Sequence, residues 1–120
     1  DGGFWRRLTC SEDKWYAKAA VATWRSKAFH DVTEKDIQVA LPYVKDLPQA
    51  TEPFMAKVAV TDKNFGRVPK VYFRTSLDKM VSPKLQEEML GNWEVEQIHT
   101  LPAGHFPTLS LPAKLAELLL

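Results

Sequence analysis

Through the first third of the chain, apolar residues recur at helical spacing. From Ser11, a residue suited to cap a helix, Trp15, Ala19 and Ala22 fall on one stripe and Tyr16, Ala20 and Trp24 on the next. The pattern predicts a helix to about Ala28 that is apolar over more than half its circumference. Thr33 can cap a second helix carrying Ile37, Ala40, Leu41 and Val44, with Pro42 ending or kinking it near Leu41. Between Lys45 and Thr61, Pro48 and Pro53 punctuate the chain, and Thr51 is placed to cap a short helix through Val58.

At Gly66 the pattern changes. A Gly-led turn and Pro69 precede Lys70–Thr75 (KVYFRT), rich in β-branched and aromatic residues, which predicts a strand. Ser82 then caps a helix with Pro83 at its first position and Gly91 just past its end. Glu94–Thr100 (EVEQIHT) predicts a second strand, Leu101–Leu109 a loop, and Pro112–Leu120 a final helix with Leu115, Leu118 and Leu119 facing a core. Two strands joined through a helix form a parallel crossover, which needs further strands beside it to cover both faces. Only two strands stand out, so part of the sheet is expected elsewhere.

With 45% hydrophobic and 26% charged residues over 120 positions, the chain has the composition of a globular domain and not of a disordered one. A net charge of +1 without a basic cluster, the Arg6–Arg7 step being too short, predicts neither nucleic acid nor a membrane as partner. No apolar run approaches the ~20 residues of a membrane-spanning helix, so a soluble protein is expected. A lone cysteine, Cys10, excludes an intrachain disulfide and suits a reducing compartment, with cytoplasm the expected location. The opening DGGFWRR has no starting Met and no secretory pattern, as expected of a chain that begins inside a longer one.

Two residues stand out by placement: Asp78, in the loop leaving the first predicted strand, and His105, in the loop leaving the second. Open α/β sheets place their sites past the carboxyl ends of parallel strands. There, an Asp accepting the Nδ1 proton of a His fixes the tautomer and leaves Nε2 as a general base. The alternative at this point is a turn Asp and a His satisfied by backbone groups. His30 and His99 have no metal-ligand spacing to each other or to His105, and Trp93 reads as packing.

The stretch GRVPKVYFRTSLDKMVSPKLQEEML followed by IHTLPAGHFPTL resembles the C-terminal portion of an α/β-hydrolase, and within that superfamily the plant methylesterase and hydroxynitrile lyase group with its microbial esterase relatives. In that group a Gly-led turn enters a Lys-Val-Tyr strand, the catalytic Asp precedes a Lys and then a helix-opening Pro, and the catalytic His follows a Gly-containing loop. Asp78, Lys79, Pro83, Gly104 and His105 occupy those places. The resemblance implies an α/β fold class: a helical cap segment over residues 1–64, then the strand-helix-strand-helix of a parallel sheet over 65–120. No cofactor and no metal are expected. Phe106 follows the His where the lyases of the group carry a Lys, so the esterases are the nearer match and a lyase is set behind them. Trp24 and Phe29 would join Phe106 in walling a pocket for a small ester, against the plainer reading of aromatics at helical spacing as core.

One departure is large. The nucleophile of such enzymes sits in Gly-x-Ser-x-Gly, and none of Ser11, Ser26, Ser76, Ser82 and Ser110 lies between glycines, while Cys10 reads as a helix lead-in. In this family the nucleophile and oxyanion donors precede the cap. The expected partner is therefore an N-terminal half of the same hydrolase, cleaved from this chain within the cap as the favoured explanation, with a second polypeptide or a half simply left out of this sequence as the alternatives. The competing expectation is an α/β-hydrolase-like binding or interaction protein without catalysis, and a third is a self-sufficient small α/β module.

Overall fold

The computed structural model describes residues 8–10, 16–45 and 49–120. Its element order is β1 (Leu8–Cys10), β2 (Tyr16–Ala19), α1 (Val21–Thr23) continued by a π-helical stretch (Trp24–Ala28), α2 (Glu34–Ala40), α3 (Pro42–Lys45), β3 (Gln49–Ala50) and α4 (Glu52–Met55). A 3₁₀ turn (Phe65–Arg67), β4 (Val71–Thr75), α5 (Pro83–Leu90), β5 (Gln97–Leu101), α6 (Pro107–Ser110) and α7 (Pro112–Leu119) follow. β4 and β5 run parallel, with Val71 opposite Gln97 and Thr75 opposite Leu101, and α5 is the crossover between them.

The predicted long helix from Ser11 is corrected. Its positions 11–15, Trp15 among them, lie outside the described residues, as do Arg6 and Arg7. Tyr16–Ala19 is the middle strand of an antiparallel sheet in the order β1-β2-β3, and Cys10 stands opposite Ala17 in β1 instead of leading into a helix. Pairing on both edges, with β3 reached from across some thirty positions, outweighs a helical preference that only local spacing suggested. The segment read as purely helical is thus mixed, and in place of only two strands there are five among the described residues. Helix begins at Val21 and widens at once, the Phe29 N–H reaching back five residues to the Trp24 carbonyl at 3.0 Å.

Thr33 caps α2 as its position predicts, its Oγ1 accepting the Asp36 N–H at 3.3 Å, and Pro42 ends α2 and opens α3. Arg25 reaches across to Glu34 with two hydrogen bonds of 2.7 and 2.9 Å, tying the π-helical stretch to the start of α2. α4 stops at Met55, short of the predicted Val58, because Ala56 is extended and Val58 and Val60 are exposed, so no packing supports further helix. Ser82 accepts the Leu85 N–H at 3.3 Å and Pro83 opens α5. β5 begins at Gln97 and not Glu94: its partner strand starts only after Pro69, which has no N–H to offer a ladder. The predicted loop 101–109 holds the last residue of β5 and the turn of α6.

The core lies between the π-helical stretch and α2: Ala19, Trp24, Ala28, Phe29, Val32 and Ile37 are buried, with Phe106, Leu109 and Met80 packed against them. The parallel pair is covered less well. Val71 is 50% and Ile98 45% exposed, although strands of a parallel sheet are ordinarily buried on both faces. Leu119, expected to face a core, is 64% exposed, while Leu115 and Leu118 are half-buried. The radius of gyration is 16.0 Å, where a compact 120-residue domain has about 13.6 Å. The accessible surface is 8787 Å², where a folded monomer of this mass exposes about 6,600 Å².

Candidate active site

The two loops leaving β4 and β5 run side by side past the strand ends. The ladder continues beyond them: Ser76 N–H donates to the Leu101 carbonyl and Leu77 N–H to the Ala103 carbonyl, each at 3.0 Å. Asp78 and His105, 27 positions apart, are thereby brought into contact, with His105 Nδ1 3.0 Å from Asp78 Oδ2. A carboxylate accepts, so Nδ1 carries the proton and Nε2 holds the free lone pair. No described residue bonds Nε2. The His105 side chain is 28% exposed and that of Asp78 4%, giving a buried anion behind a reachable imidazole.

The Asp78 carboxylate is held on both oxygens. Oδ1 accepts the Met80 and Val81 N–H groups at 2.8 and 2.9 Å, the SLDKMV turn folding its own backbone over the side chain. Oδ2 accepts Thr75 Oγ1 at 3.1 Å beside the His105 bond. Burial pushes the Asp78 carboxyl up, but the hydrogen bonds from His105, Val81 and Met80 and the attraction of His105 together hold it below its ordinary value. The group is an anion at neutral pH, suited to stabilise an imidazolium.

Gln86, on α5, is 1% exposed and locks this loop to β4. Its Nε2 donates to the Thr75 carbonyl at 2.9 Å and the Val81 carbonyl at 2.8 Å, and its Oε1 accepts the Thr75 N–H at 3.0 Å. Sequence reading missed it, since a Gln between Leu85 and Glu87 looks like solvent-facing helix. The only signal was its place one turn after the helix-opening Pro83, close to the acid loop.

Phe106 stands edge-on to His105 with ring centroids 5.1 Å apart and stacks on Phe29 at 5.3 Å, which in turn stacks on Trp24 at 6.2 Å. Phe106 is half-buried beside the imidazole. Phe29 and Trp24 are buried core residues behind it, at 2% and 6% exposure. His99 stacks on its cross-strand neighbour Phe73, and Trp93 packs edge-on against Phe65. No cluster of three metal-ligating side chains occurs among the described residues, and no described helix is long and apolar enough to cross a membrane.

No protein-family profile matches the chain. Among curated proteins it is similar to an Arabidopsis thaliana protein named as methylesterase 11, chloroplastic, at 32% identity over 93 residues, 77% of this chain and 23% of that protein. It is also similar to methylesterase 17 of Arabidopsis thaliana, at 35% identity over 68 residues, 54% of this chain and 25% of the relative. The chain thus spans about a quarter of the length of these relatives. The fold superposes on the crystal structure of an Arabidopsis methylesterase, MES16, with a TM-score of 0.79 at 22% identity, covering 93% of this chain and 50% of that one. With parallel strands whose ends carry a joined Asp and His, the chain has the fold of the C-terminal part of an α/β-hydrolase and is similar in sequence to plant methylesterases.

Proposed function

We propose that this chain supplies the Asp and the His of a Ser-His-Asp triad in a carboxylic ester hydrolase acting on small esters, the Ser and the oxyanion donors belonging to an N-terminal half of the fold. The observation that carries the reading is the 3.0 Å bond from His105 Nδ1 to a buried Asp78 whose other acceptor positions are filled, with Nε2 left open. His105 Nε2 takes the serine proton as that oxygen attacks the ester carbonyl. The alcohol leaves with this proton and an acyl-enzyme remains. Water, deprotonated by the same nitrogen, then releases the acid and restores the serine. Asp78 holds the tautomer and stabilises the imidazolium without itself gaining the proton.

The N-terminal half as partner is supported by the exposed Val71 and Ile98 on the parallel strands and by the excess surface. Similarity to proteins named methylesterases supports an ester substrate. Phe106, backed by Phe29 and Trp24, would then form an apolar wall of the substrate pocket beside the imidazole. An apolar side chain at that position favours an esterase over a hydroxynitrile lyase, which in this group carries a Lys there.

The test is a denaturing intact-mass spectrum of the native material after exposure to a fluorophosphonate, which labels an activated serine. An adduct on the segment or polypeptide that completes the sheet, with the 13.7 kDa region described here unmodified, is the expected result. Native material that takes no label and hydrolyses no ester would leave a binding protein as the better reading.

A further inference from the structure

The turn between the π-helical stretch and α2 carries His30 and Asp31, whose side chains diverge onto the two loops of the acid–base pair. His30 Nε2 donates to the carbonyl of Leu77, the residue immediately before Asp78, at 2.9 Å. Asp31 Oδ2 accepts the N–H of Gly104, the residue immediately before His105, at 2.5 Å. Two adjacent residues, 47 and 73 positions from their partners, thus grip the backbone of the residue before each member of the pair. Gly104 permits it: a Cβ there would stand 2.4 Å from Asp31 Oδ1 and 2.9 Å from His30 Nε2. The contact explains why a glycine, at a backbone position without a left-handed φ, precedes His105.

The β4–β5 ladder ends at the Leu77–Ala103 bond, so beyond it the two loops are held by side chains alone. The Asp78–His105 bond requires both loops in one register. We propose that His30 and Asp31 are positioning residues which together set the spacing of the Asp78 and His105 loops, making the geometry of the acid–base pair depend on the turn before α2. The role rests on the triad reading as far as turnover is concerned, but its structural half can be read without turnover.

The experiment uses the complete hydrolase with Asp31→Ala, Asp31→Asn, His30→Ala and His30→Gln. Two quantities are followed: kcat and KM for p-nitrophenyl acetate, and the downfield proton resonance of the His105 Nδ1–H, identified by its loss in His105→Ala. Asn and Gln can each make the single hydrogen bond at issue. Asp31→Ala and His30→Ala are expected to lower kcat about 10- to 100-fold with KM changed less than about twofold, and to shift or broaden the resonance. Asp31→Asn and His30→Gln should stay near the wild type in both. If an alanine variant fails to fold, the other one and the two conservative variants decide the matter on the same readouts. Alanine variants that keep both kcat and the resonance, or conservative variants as impaired as the alanines, overturn the proposal. If His105→Ala leaves turnover intact, the triad reading is what fails, and the resonance still decides the positioning role.

Discussion

The Asp78 carboxylate receives two backbone N–H groups, one hydroxyl and one imidazole N–H, so replacing it removes charge and disturbs four donors at once. In the complete hydrolase Asp78→Asn is expected to lower kcat about 10⁴-fold, because an amide can turn its NH₂ toward the ring and no longer enforces the Nδ1–H tautomer. Hydrolysis of p-nitrophenyl acetate by the purified variant checks this. The same carboxyl gives a pH dependence whose sign follows from its depressed pKa. Its contribution to stability is complete above the unfolded-state value near 3.9 and is lost as pH falls through the lower folded value. Urea midpoints between about pH 5 and 2 should therefore fall, and fall less steeply in Asp78→Asn.

Between elements, the main lock is the one Gln86 forms between α5, the end of β4 and the acid loop. Gln86→Leu would fit the volume but leave the buried Thr75 N–H and the half-buried Val81 carbonyl without their side-chain partner, the Thr75 carbonyl keeping only its 3.3 Å bond from the Asp78 N–H. A loss of about 2 kcal/mol or more is expected, given ~1–3 kcal/mol for each orphaned buried group, and urea denaturation of the complete protein measures it. The elements also show where local pattern was enough. Thr33 and Ser82 sit at the starts of α2 and α5 because a side-chain oxygen beside free N–H groups is a short-range interaction, legible from a few residues. Tyr16–Ala19 went the other way, since its partners at Leu8–Cys10 and Gln49–Ala50 leave no mark on the spacing within the strand itself.

At the scale of the molecule, the radius of gyration of 16.0 Å and the accessible surface of 8787 Å² exceed those of a closed domain of this length, and Val71, Ile98 and Leu119 are among the exposed apolar residues. A polypeptide of these 120 residues prepared alone is expected to bind the dye ANS and to self-associate, having an open parallel sheet edge. On the proposed reading, addition of an N-terminal half that completes the sheet should abolish the dye signal and yield a complex of defined mass in light scattering. A monomer that unfolds cooperatively and binds no ANS would instead identify a self-sufficient module.

The sequence by itself determined the strand–helix–strand order from Val71 onward, the caps at Thr33 and Ser82, and the candidacy of Asp78 and His105. Each of these rests on residues close together in the chain or on a position just after a strand. Only the tertiary structure decided that the two side chains meet, that Gln86 and Thr75 brace the acid, and that His30 and Asp31 reach the loops from a turn before α2. It also moved Trp24 and Phe29 behind Phe106 instead of leaving them as surface walls. For the pairs that span the fold the reason is shared: a hydrogen bond across 11, 27, 47 or 73 positions depends on how the elements pack, and no local pattern records it.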